Sequence, residues 1–303
     1  MSELPVCWLR SVDLEVPDLA AAERFYTEAW KLRIVARAEG KLWLRATGDD
    51  HHVLALHQAD AKALRAVTLR ASSRAALDDI AAKAAAWGCT ILFGPAPDPA
   101  PSGGICVVFR EPQGTVLRIV HGDLRHEDGA EVENLPHRLS HVNVNAIDVN
   151  LSMEFYAKVL GMVKTDRSKL MGFVRCNADH HAIVLADAKS GGLNHIAFML
   201  PDLESVMRGA GNLVDAGVPI AWGVGRHGPG NNVFAYFLDP FDVVVEYTSE
   251  VLQIDDSYVF RGPDEWNWAP GRTDHWGIAP PKPDRVKYAQ ISTPHGTWDG
   301  VSP

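Results

Sequence analysis

The chain repeats one pattern of hydrophobic and polar positions at a spacing of about 130 residues. Residues 9–32 and 139–162 each begin with alternating polar and apolar positions, which predicts a strand, and continue through an Asp-containing loop. Each segment then places apolar residues at helical intervals around a Phe-Tyr pair, Phe25-Tyr26 or Phe155-Tyr156. We therefore predict a strand followed by an amphipathic helix at both places.

The repetition continues downstream, and each half is itself double. Three further pairs of segments match at nearly the same offset: 50–52 with 179–181, 66–71 with 195–200, and 111–120 with 239–248. Similar units of about 55 residues begin near Leu9, Leu64, Leu139 and Leu193. Each unit has one strand, one helix and then several strands. We therefore predict an α+β fold of four βαβββ modules, paired into two tandem domains.

Changes in composition place the domain boundaries. Residues 122–137 are polar and charged, which is typical of a linker, so residues 1–121 and 138–250 are the two predicted domains. The repeat stops after Glu250. Residues 251–303 are rich in Pro, Gly and Trp with little periodicity, and we predict an irregular C-terminal tail that could serve as a lid over a pocket.

Charge and cysteine usage exclude several classes of protein. The formal net charge is -9 and the pI is near 5.8, which argues against nucleic acid as a partner, because phosphate backbones are bound by clustered Lys and Arg. The four cysteines form no CxxC pair and are predicted to stay reduced. No signal-like N-terminus or long apolar span is present, so we expect a cytoplasmic protein with no membrane partner.

Comparison of equivalent positions in the two halves points to the chemistry. A duplicated scaffold gives equivalent positions similar surroundings, so a difference in residue type indicates a difference in task. At three equivalent strand positions the second half has side chains that bind metals and the first half has none. The three pairs are His141 with Ser11, His195 with Ala66, and Glu246 with Arg118.

These three side chains together predict a metal site. Each has an ordinary alternative explanation, since a single strand histidine is usually a hydrogen-bonded structural residue and Glu246 could lie on an edge strand. Glu246 follows three valines, however, and a buried carboxylate must be paired or coordinated to avoid a large desolvation cost. Two imidazoles and one carboxylate are the set that holds an octahedral iron(II) on one face and leaves the other positions open.

The second half resembles the type I extradiol (catechol 2,3-) dioxygenases of the vicinal-oxygen-chelate, or glyoxalase/bleomycin-resistance, superfamily. The motifs that carry the resemblance are HxN at 141–143, HHAIVL at 180–185, NHIAF at 194–198, GRHGPGNNVFAYFLDP at 225–240 and VEYTSE at 245–250. The four-unit layout extends the resemblance to residues 5–250. It implies that each domain is an open, mixed, barrel-like sheet that encloses a cleft, with helices outside, and that the first domain is metal-free.

The resemblance also implies roles for particular residues. His141, His195 and Glu246 become ligands of Fe(II), with Mn(II) as the alternative metal. His181 matches the acid/base histidine of the family, and His227 and Tyr236 match the pair that contacts the catecholate. The implied activity is extradiol cleavage of a catechol-type aromatic, with O2 as co-substrate and both oxygen atoms in the product, in aromatic-compound degradation. The family also implies a homo-oligomer.

Two further residues are candidates for contact with the substrate. Asn143 lies two residues along the strand from His141, so the two side chains face the same way. Arg272 in the tail is a candidate clamp for an anionic group. Phe173, Val184, Trp222 and the tail tryptophans are not distinguishable from core residues by sequence. The choice among monocyclic, bicyclic and further hydroxylated catechols therefore stays open.

Two other functions remain open at this point. In a glyoxalase-like metal isomerase or lyase, His181 would be a fourth ligand and no oxygen would be consumed. A non-catalytic module that binds an aromatic compound is the second alternative. The loop at 225–232 and Tyr236 favour the dioxygenase, because an isomerase has no evident use for a catecholate-binding pair.

Overall fold

The computed structural model describes residues 3–298 and shows four modules, each with a first strand, one helix and three more strands, which confirms the predicted fold. The two modules of each half form one open, eight-stranded mixed sheet. The first half contains β1 (Val6–Val16), β2 (Arg33–Ala38), β3 (Lys41–Arg45), β4 (Leu54–Gln58), β5 (Ala63–Ala71), β6 (Thr90–Pro97), β7 (Ile105–Arg110) and β8 (Val116–His121). The second half contains β9 (Arg138–Ala146), β10 (Val163–Arg167), β11 (Met171–Arg175), β12 (Ile183–Asp187), β13 (Gly192–Met199), β14 (Trp222–Arg226), β15 (Val233–Leu238) and β16 (Val244–Ser249).

The helix of each module begins at a capping side chain. The four helices are α1 (Leu19–Arg24), which continues as a π-helical turn over Phe25–Ala29, α2 (Arg74–Trp87), α3 (Val149–Lys158) and α4 (Leu203–Asp215). In every case an Asp or Ser side-chain oxygen accepts a hydrogen bond from the backbone N–H three residues later, at 2.7 to 3.1 Å. The capping residues are Asp18, Ser73, Asp148 and Asp202. The Asp-containing loops of the repeat therefore mark the helix starts.

The same strand order occurs in both sheets. The first strands of the two modules lie side by side and antiparallel, β1 with β5 and β9 with β13. Each first strand also pairs in parallel with the last strand of its own module, as β13 does with β16. The central strands β9, β13 and β16 are therefore adjacent, although they are far apart in sequence.

The two halves share one hydrophobic core. Trp30, at the end of the first module's helix, is fully buried. Its ring lies among aromatic rings of the second half, with centroids 4.0 Å from Tyr247, 5.4 Å from Phe198 and 5.8 Å from Phe237. In return, the Phe155 ring of α3 contacts Trp87 and Phe109 of the first half. Each half therefore packs a helix against the other.

We expect Trp30→Ala to destabilise the whole chain by about 3–5 kcal/mol, the usual cost of removing a buried Trp side chain. Trp30→Phe is the matched control. It keeps most of the aromatic packing and removes an indole N–H that has no hydrogen-bond partner, so its cost should be smaller. Urea unfolding followed by circular dichroism measures both. An unchanged midpoint for Trp30→Ala would contradict this account of the interface.

Two segments lie outside the sheets. Residues 122–137 contain neither helix nor strand and connect β8 to β9. After β16, the tail contains a 3-10 turn at Pro263–Glu265 and one short helix, α5 (Asp284–Ala289). It makes isolated bridges to both halves, including His295 with Leu64 and Thr293 with Leu193. The last residues of the predicted tail, 299–303, lie outside the described residues.

Two features that were considered from composition, the cysteines and membrane-spanning segments, can be examined in the described residues. All four cysteines are unpaired, with Cys106 and Cys176 buried and Cys7 and Cys89 half-buried. Within residues 3–298, no helix has the length and apolar character needed to cross a bilayer.

Candidate metal centre and substrate cavity

Strand register places the three predicted ligands on one face of the second sheet. His141 on β9 lies opposite Ala197 on β13, and Ala197 lies opposite Glu246 on β16. His195 is two residues before Ala197 and therefore projects from the same face. The side chains of three adjacent strands thus converge at the centre of the sheet.

The ligand atoms lie close enough to share one ion. The Nε2 atoms of His141 and His195 are 3.1 Å apart, and Oε2 of Glu246 is 3.4 Å from the first and 3.1 Å from the second. One donor atom from each residue falls within a cluster of 4.8 Å, and all three residues are buried. Among the described residues, this is the group of His, Cys, Asp and Glu side chains that has metal-binding geometry.

The protonation states and hydrogen bonds of these residues fit a divalent cation. Burial lowers the pKa of His141 to about 3 and that of His195 to about 4, so both imidazoles are neutral at pH 7 and have a lone pair to offer. Burial raises the pKa of Glu246, and its Oε2 receives no hydrogen bond. A buried carboxylate oxygen without a partner is costly unless a cation compensates it.

Neighbouring side chains orient the two imidazoles. Nδ1 of His195 donates to the Asn194 amide oxygen at 2.9 Å, which leaves Nε2 unprotonated towards the site. The Asn194 oxygen also accepts from Nε2 of Gln290 in the tail, at 2.7 Å. Nδ1 of His141 lies 3.3 Å from Oγ of Ser140. The ligand orientation therefore depends partly on a residue outside the repeat.

The first half has the same register but a different chemistry. Ser11, Thr68 and Arg118 form the equivalent row across β1, β5 and β8, and Ala66 lies opposite Asp13. Arg118 is buried, with its Nη2 atom 3.6 Å from Oδ2 of Asp13. A guanidinium therefore projects into the place where the second half offers a carboxylate, and it disfavours a cation there.

The predicted catalytic residues surround the ligands. The Tyr236 hydroxyl is 3.4 Å from Nε2 of His195 and 3.4 Å from Nε2 of His227. The His181 ring centroid is 4.6 Å from that of His141. His181 is nevertheless not part of the three-residue cluster. His181, His227, Tyr236 and Asn143 all line one cavity.

The cavity has a volume of about 530 Å³, and its walls are mainly apolar and aromatic. Phe173, Val184 and Trp222, which the sequence did not separate from the core, line it. So do Trp266 and Trp268 of the tail. The second sheet and the tail therefore both supply walls of the cavity.

The structure does not bring Arg272 to the cavity. Its side chain is exposed, and the guanidinium lies against Gly277 within the tail. Lys282 lines the cavity instead, with its ammonium 4.3 Å from the centre of the Trp222 ring and 2.9 Å from Oε1 of Gln290. Sequence reasoning missed Lys282 and Gln290, because the tail has no counterpart in the repeat and no motif to mark them.

The fold and the site together define a protein of paired βαβββ modules with a candidate metal centre in a cleft of its second half. The chain belongs to the Glyoxalase/Bleomycin resistance protein/Dioxygenase superfamily, whose family model matches residues 8–119 and 138–247. The two matched segments cover nearly all of the two sheets.

The proteins to which this chain is similar have names that indicate different activities. The chain is 30% identical to Metapyrocatechase 2 of Cupriavidus necator over 269 residues, which cover 78% of this chain and 79% of the relative. It is 31% identical to the Mn(II)-bound glyoxalase of Novosphingobium aromaticivorans, with a TM-score of 0.88 and coverage of 100% and 98%. A variant of homoprotocatechuate 2,3-dioxygenase from B. fuscum has the same fold at 21% identity, with a TM-score of 0.82 over 91% of this chain and 80% of that one.

Proposed function

We propose that this chain is an extradiol dioxygenase, which cleaves a catechol-type ring beside the diol and incorporates both atoms of O2, in aromatic-compound degradation. The observation that carries the proposal is a three-ligand centre that shares one cavity with His181 and with the His227–Tyr236 pair. The similarity to Metapyrocatechase 2 over most of both chains supports it.

The proposed metal is Fe(II), held by His141, His195 and Glu246. Mn(II) is the alternative, because the same nitrogen and oxygen donors accept it. When bound, a redox-active ion supplies the chemistry that lets a singlet aromatic compound react with triplet O2, a reaction that is otherwise spin-forbidden.

The protein's own residues hold the substrate and move protons. Burial raises the pKa of Tyr236 well above its usual range, so its hydroxyl stays a neutral donor. Burial also lowers the pKa of His227, and the neutral imidazole lies 3.4 Å from that hydroxyl. This pair is placed to hydrogen-bond a substrate oxygen beside the ligands. His181 is the proposed acid/base, and Asn143 lies on the same cavity wall.

The glyoxalase alternative requires a different ligand set. In that reaction His181 would be a fourth protein ligand. The described structure instead keeps it outside the cluster, with Nδ1 3.1 Å from Nδ1 of His180. The similarity to the N. aromaticivorans glyoxalase extends over the whole chain and supports a metal site, but the three-ligand arrangement favours the dioxygenase.

The cavity also narrows the substrate class. Its volume of about 530 Å³ lies within the range of sites for drug-sized ligands, and three tryptophans line it. We therefore propose a bicyclic or ring-substituted catechol rather than the unsubstituted ring.

Oxygen consumption tests this function. Metal-free protein is reconstituted with Fe(II) under anaerobic conditions, mixed with oxygenated buffer and a panel of substituted catechols, and followed with an oxygen electrode and by the colour of the product. We expect one O2 consumed per catechol and a larger kcat/KM for bicyclic than for unsubstituted catechol.

Two controls separate the alternatives. Metal-free protein should consume no O2. Turnover of a 2-oxoaldehyde hemithioacetal without O2 would instead support the isomerase, and saturable catechol binding without any turnover would support the binding module. No uptake across the whole panel would contradict the dioxygenase.

A further inference from the structure

A line of buried groups runs behind His181, away from the metal ligands. Nδ1 of His181 is 3.1 Å from Nδ1 of His180, and Nε2 of His180 is 2.8 Å from Oδ2 of Asp166. Asp166 and His180 are 0% exposed and His181 is 2% exposed. Asp166 lies on β10, fourteen residues before His180, and no motif marks it.

The chemistry of the groups sets the direction of these hydrogen bonds. A carboxylate only accepts, so Nε2 of His180 must carry the proton that is donated to Asp166. Nδ1 of a neutral His180 is then an acceptor, and Nδ1 of His181 must be the donor. The remaining ring nitrogen of His181, Nε2, is left unprotonated. The arrangement thus selects one tautomer of the histidine that lines the cavity.

The first half shows that the carboxylate is specific to the metal-binding half. The adjacent histidines recur there as His51 and His52, with their Nδ1 atoms 3.0 Å apart. The position equivalent to Asp166 in the strand register is Ala36, and Nη1 of Arg10 lies 3.0 Å from Nδ1 of His52. The histidine pair therefore belongs to the fold, whereas the carboxylate behind it does not.

The tail fixes the carboxylate in place. The Tyr258 hydroxyl donates to Oδ2 of Asp166 at 3.0 Å, and the backbone N–H of Arg261 donates to Oδ1 at 3.0 Å. Both donors lie outside the duplicated modules. Asp166 thus has a separate donor for each oxygen besides His180, and its orientation is determined.

We propose that Asp166 and His180 are positioning residues that hold His181 in the Nδ1–H tautomer, so that its Nε2 is the atom that exchanges protons with the substrate. The catalytic part rests on the proposed dioxygenase function. The tautomer is a property of the protein alone and is tested without turnover.

The first measurement is NMR of the ring nitrogens in metal-free protein labelled with 15N-histidine, with signals assigned by His181→Gln and His180→Gln. In the wild type we expect His181 as the Nδ1–H tautomer and His180 as the Nε2–H tautomer. Asp166→Asn should reverse both. The Arg261 N–H keeps the amide oxygen on its own side, so the new NH2 group faces His180 as a donor. An Nε2–H tautomer of His181 in the wild type would overturn the proposal.

The second measurement is steady-state kinetics of the Fe(II)-loaded protein. Asp166→Asn should lower kcat by about 10²-fold or more, because acid/base catalysis contributes that much, with little change in catechol KM or in bound iron. The control is His51→Gln, which changes the residue of the first half that is equivalent to His180. It should leave kcat unchanged. A kcat for Asp166→Asn close to that of the wild type would also overturn the proposal.

The NMR and kinetic measurements distinguish a failure of the tautomer proposal from a failure of the proposed dioxygenase function. If the tautomers are as expected but the wild type consumes no O2, the hydrogen-bond order stands and the dioxygenase function fails. If Asp166→Asn does not fold, the wild-type spectrum still tests the tautomer, and Tyr258→Phe, which removes one donor to Asp166, tests the kinetic effect.

Discussion

Glu246→Gln should abolish metal binding and activity while making the metal-free protein more stable. Loss of the proposed anionic ligand should weaken metal affinity by more than the 10–100-fold that is typical of residues behind the ligands. In the metal-free protein, by contrast, Glu246 is a buried carboxylate with an oxygen that receives no hydrogen bond. Replacing this charge by a neutral amide should raise the free energy of unfolding by about 1–3 kcal/mol.

The control is a second buried glutamate, for which the same substitution should lower rather than raise the free energy of unfolding. Glu111 follows β7 in the first half, and its two carboxylate oxygens accept backbone hydrogen bonds from Gln113 and Thr115, each at 2.8 Å. Glu111→Gln would replace one acceptor by a donor, so we expect it to destabilise the protein and leave metal content unchanged. Metal analysis and urea unfolding of both variants measure these effects. Equal metal content in wild type and Glu246→Gln would disprove the ligand assignment.

Acid should unfold the metal-free protein steeply between about pH 6.5 and pH 4. Burial lowers the pKa of eight of the thirteen histidines, namely His51, His52, His137, His141, His181, His195, His227 and His295. The unfolded chain therefore binds more protons than the folded chain below pH 6.5, and stability is lost as the pH falls. Each such histidine adds about 1.4 kcal/mol per pH unit to the slope.

One pair of variants tests whether buried histidines cause this dependence of stability on pH. His137 lies outside the metal centre, and burial lowers its pKa to about 4. His137→Gln should therefore reduce the pH dependence of unfolding by about one proton. Thr297→Ser changes an exposed residue of the tail that carries no titratable group and should leave the dependence unaltered. Stability that stays constant from pH 7.5 to pH 5 would contradict the prediction.

The fold and the convergence of His141, His195 and Glu246 could be predicted because they depend on local patterns and on the duplication. Two copies of one strand register make Ser11, Ala66 and Arg118 a built-in reference for the ligand positions. The comparison was ambiguous for His181, because His52 repeats it. In the structure the two histidines differ in their surroundings: Arg10 contacts His52, and Ala36 occupies the strand position that Asp166 has in the second half.

The tail could not be predicted in the same way. Its path is determined by contacts with both halves that leave no periodic pattern in the sequence. Arg272 illustrates the difficulty, since an arginine near the end of the chain suited an anionic group, yet it is Lys282 that lines the cavity. Asp166 was missed because its burial depends on Tyr258 and Arg261, nearly a hundred residues later.

The cavity is thus built from two stretches of chain with different origins. One part of the wall belongs to the duplicated modules, and another part, with Trp266, Trp268 and Lys282, belongs to the tail. Substitutions after residue 250 can therefore change the wall of the cavity. They also reach the residues behind the candidate site, because Gln290 contacts Asn194 and Tyr258 contacts Asp166. The tail thus links the shape of the cavity to the orientation of the side chains in the candidate site, so exchanging this segment would alter both together.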